Sequence, residues 1–465
     1  MVDLNFGYTG SENFQPGRQY GFFPSIALGW VPTSYEWMRN NMQWVSFFKI
    51  RGSYGAVGND RLAGDTRFPY MTKASFTPRR VYEGLTTTET LLETSPGADN
   101  LEWEKALKSN IGIEGRFFRD KISFVIDFFN DQRNGIFQPR QQVPDYVGLI
   151  RMPYGNVGRM RSYGADGNAS FIHEINKDLS FVVRGNFTYS DNEIQNWEQA
   201  NMEHAYLEFT GFPYNSHRGF QAHGLFKDED DIRRSPDQSS FGAVMPGDIK
   251  YKDVNGDGKI TDADRVPLSR STMPTLMYGF GGEFRYKNLT FGVLFRGVGK
   301  TDFYHVGQSV SHTIDGSRRR YENGMGYVPF YDGVSGNVLT IANDPRNRWI
   351  PMEYAEAHGI DPSLAENPNA RFPRLQYGKN VNNAQLSDFW KGDARYLRLQ
   401  ELTISYNITN QWLRRANITS VDVQFIGSNI HVWDKVKIFD PEQAQLNGRV
   451  YPIPAVYSIQ LYIYL

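Results

Sequence analysis

Hydrophobic and polar side chains alternate along most of this chain. Between residues 178 and 192, Phe181 and Phe187 fall in one phase, while Arg184 and Asn186 fall in the other. A period of two residues is typical of β-strands, because successive side chains point to opposite faces of a sheet. The same alternation recurs at 121–133, 289–301 and 417–432. The pattern predicts an all-β protein, with helical spacing confined to short pieces such as 34–43 and 352–358.

The alternating segments and the turn residues between them predict about twelve strands. Many of these segments are much longer than the roughly 5–6 residues usual for a strand in a soluble protein. They reach the roughly 9–11 residues that a tilted strand needs to cross a membrane. The predicted strands are 2–9, 18–31, 44–58, 105–118, 121–133, 160–175, 178–192, 276–287, 289–301, 394–408, 417–432 and 455–465.

The connections between these strands alternate between short and long. Tight turns fall at 119–120, 176–177 and 287–288, and links of middle length at 32–43 and 409–416. Outer-membrane barrels have this arrangement, with short turns on one side of the membrane and long loops on the other. We therefore expect a transmembrane antiparallel β-barrel. Its long connections are 59–104, 134–159, 193–275, 302–393 and 433–454.

In such a barrel the two phases of each strand face different solvents. One phase contacts lipid and the other lines the lumen, so mean hydropathy stays low even in a membrane protein. The side chains expected to face lipid include Phe124, Phe181, Phe187, Phe291 and Val423. Those expected to face the lumen include Asp127, Arg184, Asn186, Arg296 and Asp422.

The composition excludes several classes of protein. The 465 residues carry 50 Lys and Arg against 51 Asp and Glu, and this net charge of -1 gives no electrostatic basis for binding nucleic acid. The absence of cysteine excludes disulfides, thiolate metal sites and cysteine nucleophiles. No apolar run approaches the roughly 18 residues of a transmembrane helix. The first residues do not have the pattern of a secretory leader.

One loop motif has the spacing of a calcium-binding loop. Residues 253–264 read DVNGDGKITDAD, which places oxygen-bearing side chains at positions 1, 3, 5 and 12 and a glycine at position 6. The expected ligands are Asp253, Asn255, Asp257, the main-chain carbonyl of Lys259, and Asp264. We expect Ca²⁺, with Mg²⁺ as the alternative ion, because the loop is flexible. The competing interpretation is a turn rich in Asp and Asn that holds no ion.

No catalytic constellation stands out, and we do not expect an enzyme. The eight histidines show no metal-ligand spacing, and no nucleophile elbow, phosphate loop or dinucleotide fingerprint occurs. The glycine-rich run 279–282 lies inside a predicted strand and indicates close packing. The carboxylates of 228–231 form a charge run typical of a solvated face. Loop 302–393 contains aromatic and polar residues that suit sugars or peptides, or else pack on one another: Tyr327, Tyr331, Arg346, Arg348 and Trp349.

Several stretches resemble the SusC/RagA-like TonB-dependent outer-membrane transporters. Residues 18–30, RQYGFFPSIALGW, are similar to that family's GYFPSVSLGW strand, and residues 48–59, FKIRGSYGAVGN, to its K-R-SYG-GN strand. Residues 102–112 contain its WE-N-G strand entry. The loop at 247–258, GDIKYKDVNGDG, and the strand at 393–399, DARYLRL, complete the set in the family's order.

The resemblance implies a barrel of about 22 strands, of which residues 1–465 would supply about twelve as a C-terminal part. The signal, TonB box, plug domain and early strands of that family are not expected in this chain. Counted from the family's barrel end, the loops after odd strands lie outside the cell. Loops 193–275 and 302–393 are therefore expected to be large extracellular loops.

Transport in the bacterial outer membrane is the function that the resemblance implies. The chain would be part of a TonB-dependent importer of oligosaccharides or peptides, with a SusD-like lipoprotein closing over its loops. The remaining strands and the plug, which TonB would engage, would lie on another segment or chain. The alternatives are a secreted calcium-binding, β-rich carbohydrate-binding protein or enzyme, and a passive porin.

Overall fold

A computed structural model of the chain shows twelve long strands in one sheet, with shorter strands and helices in the connections. The structure describes residues 1–61, 67–81, 86–98, 100–149, 151–214, 216–269, 273–304, 310–314, 317–321, 340–376, 380–446 and 451–465. No helix in these described ranges is long and apolar enough to cross a membrane.

The strands in chain order are β1 (Val2–Gly10), β2 (Tyr20–Trp30), β3 (Val45–Asn59), β4 (Lys73–Val81), β5 (Thr86–Ser95), β6 (Glu104–Phe117), β7 (Ile122–Pro139), β8 (Tyr154–Asn176), β9 (Leu179–Asn196), β10 (Arg218–Gly219), β11 (Ala222–Leu225), β12 (Ile249–Tyr251), β13 (Val266–Pro267), β14 (Leu276–Tyr286), β15 (Leu289–Gly299), β16 (Asp302–Tyr304), β17 (Val310–Ile314), β18 (Ser317–Tyr321), β19 (Lys391–Asp393), β20 (Tyr396–Ile408), β21 (Ser420–Asp434) and β22 (Val456–Tyr464). The α-helices are α1 (Glu36–Asn41), α2 (Glu229–Arg234), α3 (Thr340–Asn343), α4 (Met352–His358) and α5 (Gln411–Arg415).

The large sheet has the order β1-β2-β3-β6-β7-β8-β9-β14-β15-β20-β21-β22, so each long strand between β1 and β22 pairs with the long strands before and after it in the chain. All twelve predicted strands are present, which confirms the period-two pattern. Among the described residues, β1 pairs with β2 and β22 pairs with β21, each along one edge. A meander of this kind is the topology of membrane barrels.

The two predicted boundaries on either side of one loop were wrong. We expected a loop at 134–159, but β7 continues to Pro139 and β8 begins at Tyr154. The register shifts at Gly135, which has a φ of 68°, and pairing then resumes beyond it. Phe137 and Tyr154 stack at 4.6 Å between ring centroids. The glycine bulge interrupts the alternation, so the sequence pattern indicates an end where the strands continue.

The chain divides into two compact units. Unit 1 comprises residues 1–203, 208–214 and 278–292, and unit 2 comprises 204–207, 215–277 and 293–465.

In unit 1, Arg51 Nη2 lies 2.6 Å from Asp127 Oδ2, and Arg51 Nε lies 3.2 Å from Glu114 Oε1. The neighbouring residues Ile111 and Phe128, which alternation puts on the other face, are 59% and 52% exposed. The two faces thus separate charge from apolar surface as predicted.

Strand β14 also approaches β9 closely, as the glycine-rich run suggested. A Cβ at Gly282 would lie only 2.6 Å from the carbonyl oxygen of Val182. A side chain there would push the strands apart, which explains why glycine fits this position.

Unit 2 contains a hydrophobic core of its own, outside the strands of the large sheet. Residues from the two longest connections, 193–275 and 302–393, form this core, which we call the loop core: Phe220, Leu225, Ile249, Tyr251, Ile260, Ala342, Trp349, Ala370, Phe372 and Trp390. Phe220, Ile249 and Ile260 are fully buried. The described residues of 216–269 and 340–390 therefore fold together, although the sequence predicted them only as parts of the large loops 193–275 and 302–393.

A buried carboxylate joins these two connections. Asp248 is 0% exposed. Its Oδ1 lies 2.8 Å from Arg374 Nε and accepts hydrogen bonds from the side-chain amides of Asn380 and Asn383, both at 2.9 Å. Its Oδ2 accepts from the main-chain N–H of Met245 at 2.9 Å. A buried charge is costly unless it is paired and hydrogen-bonded, and Asp248 is both.

Side-chain amides also complete the free edge of β12. Asn383 accepts from the main-chain N–H of Ile249, and Asn382 donates to the carbonyl of the same residue, both at 2.8 Å. The Tyr251 hydroxyl donates to the Asn382 carbonyl at 2.7 Å. Burial raises the pKa of the Tyr251 hydroxyl, which therefore stays protonated as a donor. Residues 380–383 thus replace a missing neighbouring strand.

The facing of the strands predicts an asymmetric response to an added charge. Phe187→Arg should destabilise the barrel by about 2–4 kcal/mol, because the guanidinium would enter hydrocarbon. Asn186→Arg, one residue away on the opposite face, is the control and should change stability little. Urea unfolding of the protein in lipid bilayers measures both. Equal losses for the two variants would show that the lipid-facing register is wrong.

The pairing of Asp248 predicts a local loss of structure. Asp248→Ala leaves the Arg374 charge buried without its partner and should cost the loop core roughly 3–5 kcal/mol. Hydrogen exchange should rise at residues 245–251, 372–376 and 380–390 while the long strands keep their protection. The exposed pair Asp344–Arg346 provides the control, and Asp344→Ala should leave exchange unchanged. Unchanged protection in the Asp248 variant would rule out its role as the link.

Candidate functional site

The loop at 253–264 in unit 2 is held together by Asp and Asn side chains that accept hydrogen bonds from the main chain. Asp253 Oδ1 accepts from Gly256 N at 2.6 Å, and its Oδ2 accepts from Gly258 N at 2.8 Å. Asn255 Oδ1 accepts from the N–H of Asp257 at 3.1 Å, and Asp257 Oδ1 from that of Lys259 at 2.8 Å. Gly256 and Gly258 have φ values of 79° and 82°, which explains the two glycines of the motif.

Asp264, the last expected ligand, holds the two ends of this loop together. It is 0% exposed. Its Oδ1 accepts from Val254 N at 2.7 Å, and its Oδ2 accepts from Thr261 N at 2.8 Å. The structure thus brings the five expected ligand residues into one loop. Within the described ranges, no group of three or more His, Asp or Glu side chains is arranged to hold a metal.

A second feature of unit 2 is a cavity of about 620 Å³ beside the loop core. Residues that precede β12 line one side, and residues around α4 line the other. Trp349 lies at its inner side and is 5% exposed. A Cβ at Gly247, whose φ is 86°, would lie 2.3 Å from the Trp349 ring, so the indole packs directly on that glycine.

The aromatic and basic residues predicted for ligand contact in loop 302–393 have different positions. Arg348 and Trp349 line the cavity, whereas Arg346 forms an ion pair with Asp344 at 2.6 Å. Tyr327 and Tyr331 lie outside the described residues. Sequence reasoning missed the other side of the cavity, because Met245 and Pro246 have no chemical signal of their own.

In the DARYLRL stretch, the buried Arg398 near the start of β20 has a structural role. Arg398 of β20 is 2% exposed, and its Nη2 lies 2.7 Å from both carboxylate oxygens of Asp440. Its Nε lies 3.3 Å from Glu442 Oε1. The guanidinium therefore fixes the connection after β21 onto the strand. Just before that strand, hydrogen bonds from Arg395 lower the pKa of Asp393 to about 2.

Comparison with known proteins supports the resemblance. The sequence model of the family described as TonB dependent receptor-like, beta-barrel matches residues 3–331. TonB-dependent receptor P3 of Formosa agariphila is 23% identical over 446 residues, covering 93% of this chain and 39% of that protein. TonB-dependent receptor SusC of Bacteroides thetaiotaomicron is 22% identical over 476 residues, covering 97% of this chain and 41% of that protein.

A solved structure shows the same fold. The RagAB peptide transporter superimposes with a TM-score of 0.68 at 18% identity, covering 99% of this chain and 45% of that chain. The chain thus spans less than half the length of the relatives it matches.

These matches decide between the functional classes left open by the sequence. The family consists of outer-membrane receptors and transporters and not of enzymes, which confirms the predicted location and class. The outer-membrane location makes the alternative of a secreted carbohydrate-binding protein or enzyme wrong, while the passive porin stays a competing hypothesis for the whole protein. The barrel-strand pattern, the ordered motifs and the family match agree: this chain belongs to the TonB-dependent receptor-like β-barrel family of outer-membrane proteins.

Proposed function

We propose that this chain is part of a TonB-dependent importer that takes up oligosaccharides or peptides together with a SusD-like surface lipoprotein. The observation that carries the proposal is the loop core of unit 2. A channel that passes small solutes has no need of a separate folded core in its loops, whereas a surface that must recognise a ligand or a protein cap needs rigid support. Relatives named SusC and RagAB support the same class.

The proposal places further parts of the machine outside residues 1–465. Strands β1 and β22 would each pair with strands from another segment or chain, because unpaired main-chain groups in lipid cost several kcal/mol each. A plug in the lumen would carry the contact with TonB. The lipoprotein would bind over the extracellular loops and enclose the ligand.

Uptake by living cells tests the importer. Deleting the gene segment for this chain should abolish growth on the oligosaccharide or peptide pool that it imports, and a plasmid copy should restore growth. Collapsing the proton-motive force should stop accumulation while leaving surface binding intact, because TonB-dependent transport requires energy and binding does not. Purification from native membranes should recover a surface lipoprotein with the barrel. Uptake that continues without the proton-motive force would contradict the proposal.

We also propose that the loop at 253–264 binds Ca²⁺. Support comes from the ligand spacing and from the accepting capacity of its side chains, since an ionised carboxylate has about four lone-pair sites. Asp253 uses two of these for Gly256 and Gly258, and Asp257 uses two, for the N–H of Lys259 and for the side-chain amide of Asn255 at 3.1 Å. Both residues are accessible to solvent. Bound calcium would fix the base of the connection that carries β12.

Calorimetric titration with CaCl₂ tests this site. Asp257→Ala should weaken binding by about tenfold or more, because it removes a charged ligand. Asp262→Ala is the matched control: Asp262 lies in the same loop, is not an expected ligand, and pairs with Arg265 at 2.7 Å. It should bind calcium as the wild type does. If the wild type takes up no calcium at about 1 mM, the upper limit for extracellular calcium modules, the loop is only a turn.

A further inference from the structure

The cavity beside the loop core has the size and lining of a ligand site. Its volume of about 620 Å³ falls within the range of roughly 300–1,000 Å³ typical of small-molecule pockets. Much of its wall is apolar and includes two methionines: Met245, Pro246, Ile350, Pro351, Met352 and Leu375. Such a wall suits an aliphatic group, because methionine adapts to the shape of what it contacts.

Two buried donors in this lining have no acceptor within the described part of the chain. They are the indole Nε1 of Trp349 and the guanidinium Nε of Arg348. The residues are 5% and 6% exposed. Both nitrogen atoms are almost inaccessible to solvent, so a small shift of the two side chains has to open them to the cavity. An acceptor such as a peptide carbonyl on a bound ligand would then stabilise both groups, because a buried donor without a partner costs free energy.

The rim of the cavity is acidic. Glu229, Glu353 and Glu366 line it and are accessible to solvent. Of the two arginines in the lining, Arg374 is already neutralised by Asp248. Three carboxylates therefore face one remaining guanidinium, that of Arg348, and this imbalance favours a ligand that carries positive charge.

The aromatic rings do not offer the stacking surface that sugars use. Trp349 is almost fully buried on Gly247. Tyr354 stacks with His358 at 4.1 Å between ring centroids, and the Arg348 guanidinium lies 5.2 Å from the centroid of the Tyr354 ring. The rings are thus engaged within the protein, and the free groups are donors and carboxylates.

We propose that this cavity binds a cationic peptide segment. The peptide carbonyls accept hydrogen bonds from Trp349 and Arg348, and an aliphatic side chain packs against the methionine and proline wall. A lysine or arginine side chain of the peptide pairs with Glu353 and its acidic neighbours. The inference names the ligand class for the importer proposed above and rests on that proposal.

Calorimetry on the protein purified in detergent from outer membranes tests the site directly. The probes are acetyl-Leu-Leu-Lys-amide, acetyl-Leu-Leu-Glu-amide and maltotriose. We expect the lysine peptide to bind and the other two probes to bind at least about tenfold more weakly, because the rim repels the glutamate and the pocket lacks a stacking face.

Two variants locate the binding. Glu353→Gln should weaken the lysine peptide by about tenfold, the effect of one charge-assisted contact. Trp349→Phe keeps the ring on Gly247 but removes the N–H, and should weaken it by about threefold to tenfold. Glu356→Gln is the matched control, since Glu356 lies on the same helix α4, is exposed and does not line the cavity. Its affinity should equal that of the wild type.

The outcomes separate this inference from the importer itself. Preferred binding of maltotriose, no binding of any probe, or peptide binding that neither Glu353→Gln nor Trp349→Phe changes would each overturn the peptide site. Energy-dependent uptake that persists in those cases leaves the importer standing. Conversely, a peptide bound in the cavity of a protein that imports nothing would uphold the site and defeat the importer. The exposed position of Glu353 keeps the test valid even if Trp349→Phe fails to fold.

Discussion

Hydrogen bonding of the main chain in a medium without water is the constraint on which this structure depends. Each strand that crosses lipid must give its peptide groups to a neighbour. The large sheet meets this demand in the simplest way, since every long strand between β1 and β22 pairs with its predecessor and successor. Residues alternate between two environments along each strand, and the pairing holds even across the Gly135 bulge. Loops can then vary in length and content without disturbing the wall.

The long connections solve a different problem, because water surrounds them and a strand meander does not support them. They build a core from residues far apart in the chain and close it with one buried charge. Asp248 and Arg374 are 126 residues apart, yet they pair around the fully buried Asp248 carboxylate together with Asn380 and Asn383. The loop at 253–264 and the ion pairs of Arg398 likewise give each polar group a partner within the connections. Asp248, the loop at 253–264 and Arg398 thus hold the connections in place.

The sequence predicted the long strands of the large sheet far better than it predicted the structure of the connections. The strand predicted at 178–192 follows from alternation, a local signal that survives without knowledge of the partner strand, and the structure has it at 179–196. The loop core depends on contacts between 220, 249 and 390, which have no common period. The calcium-like spacing was visible, but the burial of Asp264 and its bonds to the main chain were not. The cavity was only half visible, since Arg348 and Trp349 attract notice while Met245 and Pro246 do not.

Gly247 gives the cavity an unusual route to change. It does not line the cavity, yet its missing side chain is the space into which the Trp349 indole settles. Any larger residue would have to displace the ring into the volume available to a ligand, and its left-handed backbone would add strain. The depth of the cavity therefore tolerates little change, whereas the exposed glutamates at its rim can be substituted without disturbing this packing. During evolution of this protein, its ligand preference would therefore change through substitution of the charged rim residues sooner than through substitution of Gly247 or Trp349.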